Sequence, residues 1–207
     1  MFPPFPQELA RHYCMEFISG IEDGSIILKQ ISKESEERKG HGIMVGALVC
    51  TNAAGERVVL HAVSGISVEA KGCVPPIAPP EKITAALAKN DKEIHELTAA
   101  INAVSELVEG PSKKELLQNR TALTDESLRN VFDLYELTRF DGKKITLNEI
   151  IKEHGGRLPP TGTGDCCAPK LLSYAFEHGL APISMDEVFY GRDTAKKKKR
   201  HLLPTLR

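Results

Sequence analysis

The sequence predicts an α+β fold: a small antiparallel or mixed sheet built on a β-hairpin and packed with several helices, one of them long. Three observations predict it. Two runs rich in Val, Ile and Leu, residues 42–50 and 56–63, flank Asn52-Ala53-Ala54-Gly55, a turn-forming link between two strands. Between about residues 81 and 109, Leu87, Ile94, Ile101 and Val108 recur seven apart with Leu97 and Val104 between them, an apolar stripe on a charged helix. Near the C-terminus, Leu171, Leu172, Ala175 and Phe176 give a shorter helix its apolar face, and residues 180–184 follow as an extended segment beside the hairpin. With 207 residues, 41% of them hydrophobic and 27% charged, the expectation is a single α+β domain over residues 1–191 and a basic tail over 192–207.

In chain order, Leu9, Tyr13 and Phe17 lie four apart and precede Gly20, which predicts a short amphipathic helix over residues 7–19. Residues 21–40 are mostly polar after Leu28 and predict irregular or weakly helical chain. The hairpin closes at Ser64-Gly65. Residues 72–80 hold no regular structure, because each proline lacks a donor and restricts its predecessor. Gly110-Pro111 stops the long helix. Ser112 caps a segment to about Arg120, and Thr124-Asp125-Glu126 starts another helix to Arg139, with Leu128, Val131, Phe132 and Tyr135 on its core face. Asp141-Gly142 turns the chain, and residues 147–154 form one or two helical turns closed by Gly155-Gly156.

Composition excludes some classes. No apolar run approaches the ~18 residues that a membrane helix needs. Residues 1–12 lack the basic and then apolar regions of a secretory signal. Five cysteines, an odd count without an export signal, argue against a disulfide scaffold and place the chain in the cytoplasm. The formal net charge is −1, but from Arg192 to Arg207 seven Lys/Arg meet one acid, so +6 sits on the tail and −7 on residues 1–191. The run Lys196, Lys197, Lys198, Lys199 and Arg200 is a candidate phosphate contact; a solvated terminal run is the plainer reading.

One motif carries chemical information. Gly162 and Gly164 free the backbone for a tight approach, and Asp165 suits the cap of a helix opening near Ala168-Pro169. Cys166 and Cys167 then stand at a helix N-terminus, where the dipole lowers a thiol pKa and favours a nucleophile or metal ligand. The same place is an anion site in principle, with Lys170 one turn on. A nucleophile needs a base; His61, His154 and His178 are the candidates, the last about 15 Å along the same helix. Alternatively one cysteine is buried as a small hydrophobe and the other spaces the turn.

Residues 162–191 resemble a segment of the N-terminal accessory extension of certain RluA-type bacterial pseudouridine synthases. The residues that carry the likeness include Gly162, Gly164, Asp165, Cys166, Ala168, Pro169, Lys170, Leu171, Leu172, Tyr174, His178, Gly179, Pro182, Met185, Tyr190 and Gly191. The 42–65 hairpin and the long helix fit the same extension. The synthase domain of that family carries a catalytic aspartate in an Arg-Leu-Asp setting, a triplet this chain does not contain. The resemblance therefore implies an accessory protein of RNA modification, non-catalytic and binding RNA or an RNA-modifying enzyme. A fainter likeness to deaminase-like folds implies a zinc-dependent hydrolase, with Cys166, Cys167 and His201 as candidate ligands. Such enzymes use a glutamate where this chain has Ala168 or Pro169, and a second cysteine pair that the tail lacks. A third expectation is an interaction module that dimerises through the 83–108 helix.

Overall fold

The central strand of the fold, Ile43–Thr51, is buried on both faces over most of its length, and its neighbours follow from that. The computed structural model describes residues 5–30, 42–66, 68–103 and 112–191. The chain runs α1 (Glu8–Glu22), β1 (Leu28–Gln30), β2 (Ile43–Thr51), β3 (Arg57–Val63), β4 (Val68–Ala70), α2 (Pro80–Ala103), α3 (Lys113–Phe132), β5 (Glu136–Thr138), β6 (Lys144–Thr146), α4 (Leu147–Glu153), α5 (Cys167–Glu177) and β7 (Ala181–Tyr190). This is an α+β fold with small antiparallel sheets, as predicted. The described residues divide into two compact units, one within Met1–Ile77, Leu137–Lys144 and Gly162–Arg207, the other within Ala78–Glu136 and Ile145–Thr161. No described helix is long and apolar enough to cross a membrane.

In the first unit an antiparallel sheet has the order β3-β2-β7. Val45 pairs with Val63 and Val188, and Leu48 with Leu60 and Met185; the register to β7 shifts between Val49 and Cys50. Side chains alternate across a strand, so β2 feeds two cores. Val45, Ala47 and Val49 join Val63, Val188 and the α1 residues Ala10, Cys14, Phe17 and Ile18. Leu48 and Cys50 join Ala62, Met185 and the α5 residues Cys167, Leu171 and Ala175. The sheet is thus covered by α1 on one face and α5 on the other. Each large aliphatic side chain so buried contributes about 1.5–3 kcal/mol. Gly46 lets α5 come close: a Cβ there would lie 2.4 Å from Cys167 Cβ.

Several expectations need correction. α1 does not stop before Gly20 but continues to Glu22; Gly20 is buried inside the helix, where a Cβ would meet the Ile26 side chain. Residues 28–30 are not irregular: they pair with β4, Leu28 opposite Ala70. The extended segment after α5 runs to Tyr190, not 184, because β2 offers it partners along its whole length. The hairpin itself stands as predicted, with Asn52 Oδ1 accepting from the Ala54 and Glu56 N–H groups.

In the second unit α2 and α3 pack side by side. Asn90 Nδ2 donates to Ser127 Oγ at 3.1 Å, and Lys89 lies 3.9 Å from Glu126. Of the α2 stripe Ile101 is buried and Leu87, Ile94 and Leu97 are half-buried, while Ile83, one turn earlier, is buried too; the stripe's last members, Val104 and Val108, lie outside the described residues. Ser112 caps α3 as expected, in a capping box with Glu115. The two helices expected over 112–139 are one, ending at Phe132. The stretch 113–132 contains no Gly or Pro, and the Thr121 and Thr124 hydroxyls donate back to the Leu117 and Arg120 carbonyls without breaking it. Residues 136–138 are a strand instead of helix; residues 137–144, which belong to the first unit, turn at Asp141-Gly142 into β6. α4 is capped by Thr146 and Glu149.

Candidate functional site

The turn into α5 is built from residues 162–165. Gly162 and Gly164 take φ of 87° and 101°, left-handed values that favour glycine. The Asp165 N–H closes on Gly162 O at 3.0 Å, and Asp165 O accepts from the Gly65 N–H at 2.9 Å, tying the turn to the end of β3. Asp165 is not the cap. Cys166 holds the N-cap position and makes no side-chain cap bond. One of the helix's free donors is met from another element: Glu187 of β7 accepts from the Ala168 N–H at 2.6 Å. The expected anion slot therefore already holds a carboxylate of the chain itself.

Burial, reinforced by that carboxylate, reverses the expected thiol chemistry. Cys167 is fully buried against the sheet, and its Sγ donates to the Met44 and Ala62 carbonyls at 3.4 and 3.5 Å. Burial, then the Glu187 charge, pushes its pKa up. Cys166 is exposed, yet partial desolvation and the charges of Glu187 and Asp165 raise it too. The lowering expected from the helix dipole does not prevail. The candidate bases also fall elsewhere. His61 stacks on Phe17 at 4.8 Å, on the α1 face of the sheet, opposite Cys167. Burial pushes its imidazole pKa down. His178 caps the far end of α5, stacked on Tyr174 at 3.9 Å. His154 belongs to the second unit.

The deaminase-like alternative makes Cys166, Cys167 and His201 candidate zinc ligands. The two sulfurs occupy different environments, one exposed and one sealed in the core, which does not suit a shared tetrahedral ion. Among the described residues no three His, Cys, Asp or Glu side chains converge on a metal-sized site. His201 and the run Lys196–Arg200 lie outside the described residues.

Lys170 is the residue whose setting the sequence did not disclose. It is 4% exposed, and its ammonium donates to the carbonyls of Val63 at 3.0 Å and Gly65 at 2.7 Å. Burial lowers its pKa, opposed by the Asp165 charge. It borders a cleft of about 700 Å³ whose walls include Val63, Val68, Val74 and Pro76, with Lys29, Lys71 and Glu69 also lining it. Lys29 and Lys71 are exposed. Sequence reading missed this cleft because its walls come from β1, β3, β4 and α5. Nothing local marks Lys29 and Lys71 as neighbours before β1 and β4 are seen to pair. No family model, curated protein or solved structure matches the chain.

Proposed function

We propose that the chain is an accessory protein of RNA modification that binds RNA and does not itself catalyse. The observation that supports this reading is the chemistry around the α5 turn. Its thiols are held protonated at neutral pH, while the adjoining cleft sets Lys29, Lys71 and Lys170 against one carboxylate, Glu69. Cations above apolar walls suit a phosphate-bearing ligand. The charge of −7 on residues 1–191 means that such contacts act locally and not through net charge. The resemblance to the accessory extension of a pseudouridine synthase, in a chain that lacks the synthase domain's Arg-Leu-Asp triplet, points the same way.

Fluorescence anisotropy of a labelled single-stranded RNA with the full chain tests the reading. At about 50 mM salt we expect saturable binding that weakens steeply with added salt. Deleting residues 196–207, or combining Lys29→Glu with Lys71→Glu, should weaken it further. No binding at that salt overturns the proposal. Stoichiometric zinc in protein purified without chelator would instead favour the deaminase-like hydrolase.

A further inference from the structure

The β5–β6 hairpin ends in an aromatic side chain that the fold leaves in solvent. Phe140 is 79% exposed, the most exposed large apolar side chain among the described residues. The turn that carries it is well held. The Arg139 N–H donates to Lys143 O at 2.8 Å, the Gly142 N–H to Arg139 O at 2.9 Å, and the Lys143 N–H to Asp141 Oδ1 at 3.2 Å. Gly142 adopts φ 77°, which the turn requires. Beneath the tip, the Thr138 N–H donates to the buried Ser173 Oγ of α5 at 2.9 Å, and Lys144 lies 3.7 Å from Glu177. The ring is thus presented on an anchored loop.

Its neighbours indicate what it meets. Residues 139–143 hold no other apolar side chain, and their two cations, Arg139 and Lys143, share one carboxylate, Asp141, at 3.7 and 3.9 Å. A lone ring flanked by cations matches a nucleotide, whose base has an apolar face and whose phosphates are anionic. A protein-docking patch would gather further apolar side chains around the ring. We propose that this hairpin tip is a stacking platform for an unpaired base of single-stranded RNA, with Phe140 against the base and Arg139 and Lys143 at the flanking phosphates. The inference rests on the RNA-binding reading and adds to it a contact point distinct from the Lys170 cleft.

The test uses the full chain with a labelled single-stranded RNA and a duplex of equal length. Phe140→Ala should weaken single-strand binding about tenfold and leave duplex binding, the salt slope and the melting temperature unchanged. Because the chain has no tryptophan, Phe140→Trp supplies a unique fluorophore that should retain affinity and be quenched by bound single strand. Single-strand binding unaltered by Phe140→Ala, or indole emission of the Phe140→Trp variant unmoved while RNA binds, overturns the platform and leaves the RNA reading standing. Equal losses on single strand and duplex also overturn it. Failure of the unaltered chain to bind either RNA overturns both.

Discussion

Burial first, and the Glu187 charge second, set what the two adjacent cysteines can do. A helix N-terminus normally stabilises a thiolate, but here its charge preference is met by the carboxylate on the Ala168 N–H. Thiol labelling of the native protein should therefore modify Cys166 first, and Cys14, Cys50 and Cys167 only in denaturant, since those three are buried. The Cys166 rate should keep climbing above pH 9. Glu187→Gln removes a charge that raises this pKa and should move the rate profile to lower pH; a plateau by pH 7 in the unaltered protein would contradict the assignment. Gly46 is the other decisive single residue. Gly46→Ala should destabilise by about 1–3 kcal/mol in a denaturant melt, because the new Cβ meets the rigid start of α5.

At the scale of elements, caps and periodicity were legible in the sequence and short strands were not. The Ser112 cap was readable from one residue and its box confirms it. Ser112→Ala should cost about 1 kcal/mol, seen as a lower denaturation midpoint at unchanged slope. The α2 stripe was readable because 24 residues repeat a helical period many times. β1, β4, β5 and β6 have three residues each, too few for a period of two to emerge. β1 and β4 exist because a partner far along the chain completes their hydrogen bonds, and β5 and β6 because each completes the other's across a tight turn. The Thr124-Asp125-Glu126 start signal misled for a related reason. Those residues suit a cap, yet with no glycine or proline nearby the helix already running through them prevails.

At the scale of the molecule, contacts between chain ends hold the first unit together. Arg11 Nε donates to Asp186 Oδ2 at 2.7 Å across 175 residues of sequence, and the Asp186 side chain is 1% exposed. Arg11→Met should leave that carboxylate without its cation. Because the Arg11 side chain is 39% exposed and water can reach the position, the expected loss is about 1–3 kcal/mol, below that of a fully buried pair. The thiols add a pH dependence. Burial raises Cys14 to about 12 and Cys50 and Cys73 to about 11. Raised folded pKa values contribute stability that is fully present below the unfolded thiol range, near 8.5, and lost as pH rises through 11–12. Unfolding free energy should therefore fall from pH 9 upward, and Cys14→Ala should flatten part of that fall.

The α+β class, the 43–63 hairpin, the long helix, the cap at Ser112 and the glycine turn into α5 were all legible along the chain, because each is written in residues near one another. Folding in three dimensions set which helix covers which sheet face, placed Glu187 on the Ala168 N–H at the start of α5, and buried Lys170 beside a cleft. Those outcomes depend on groups brought together from far apart along the chain, whose solvation and charge no local pattern encodes.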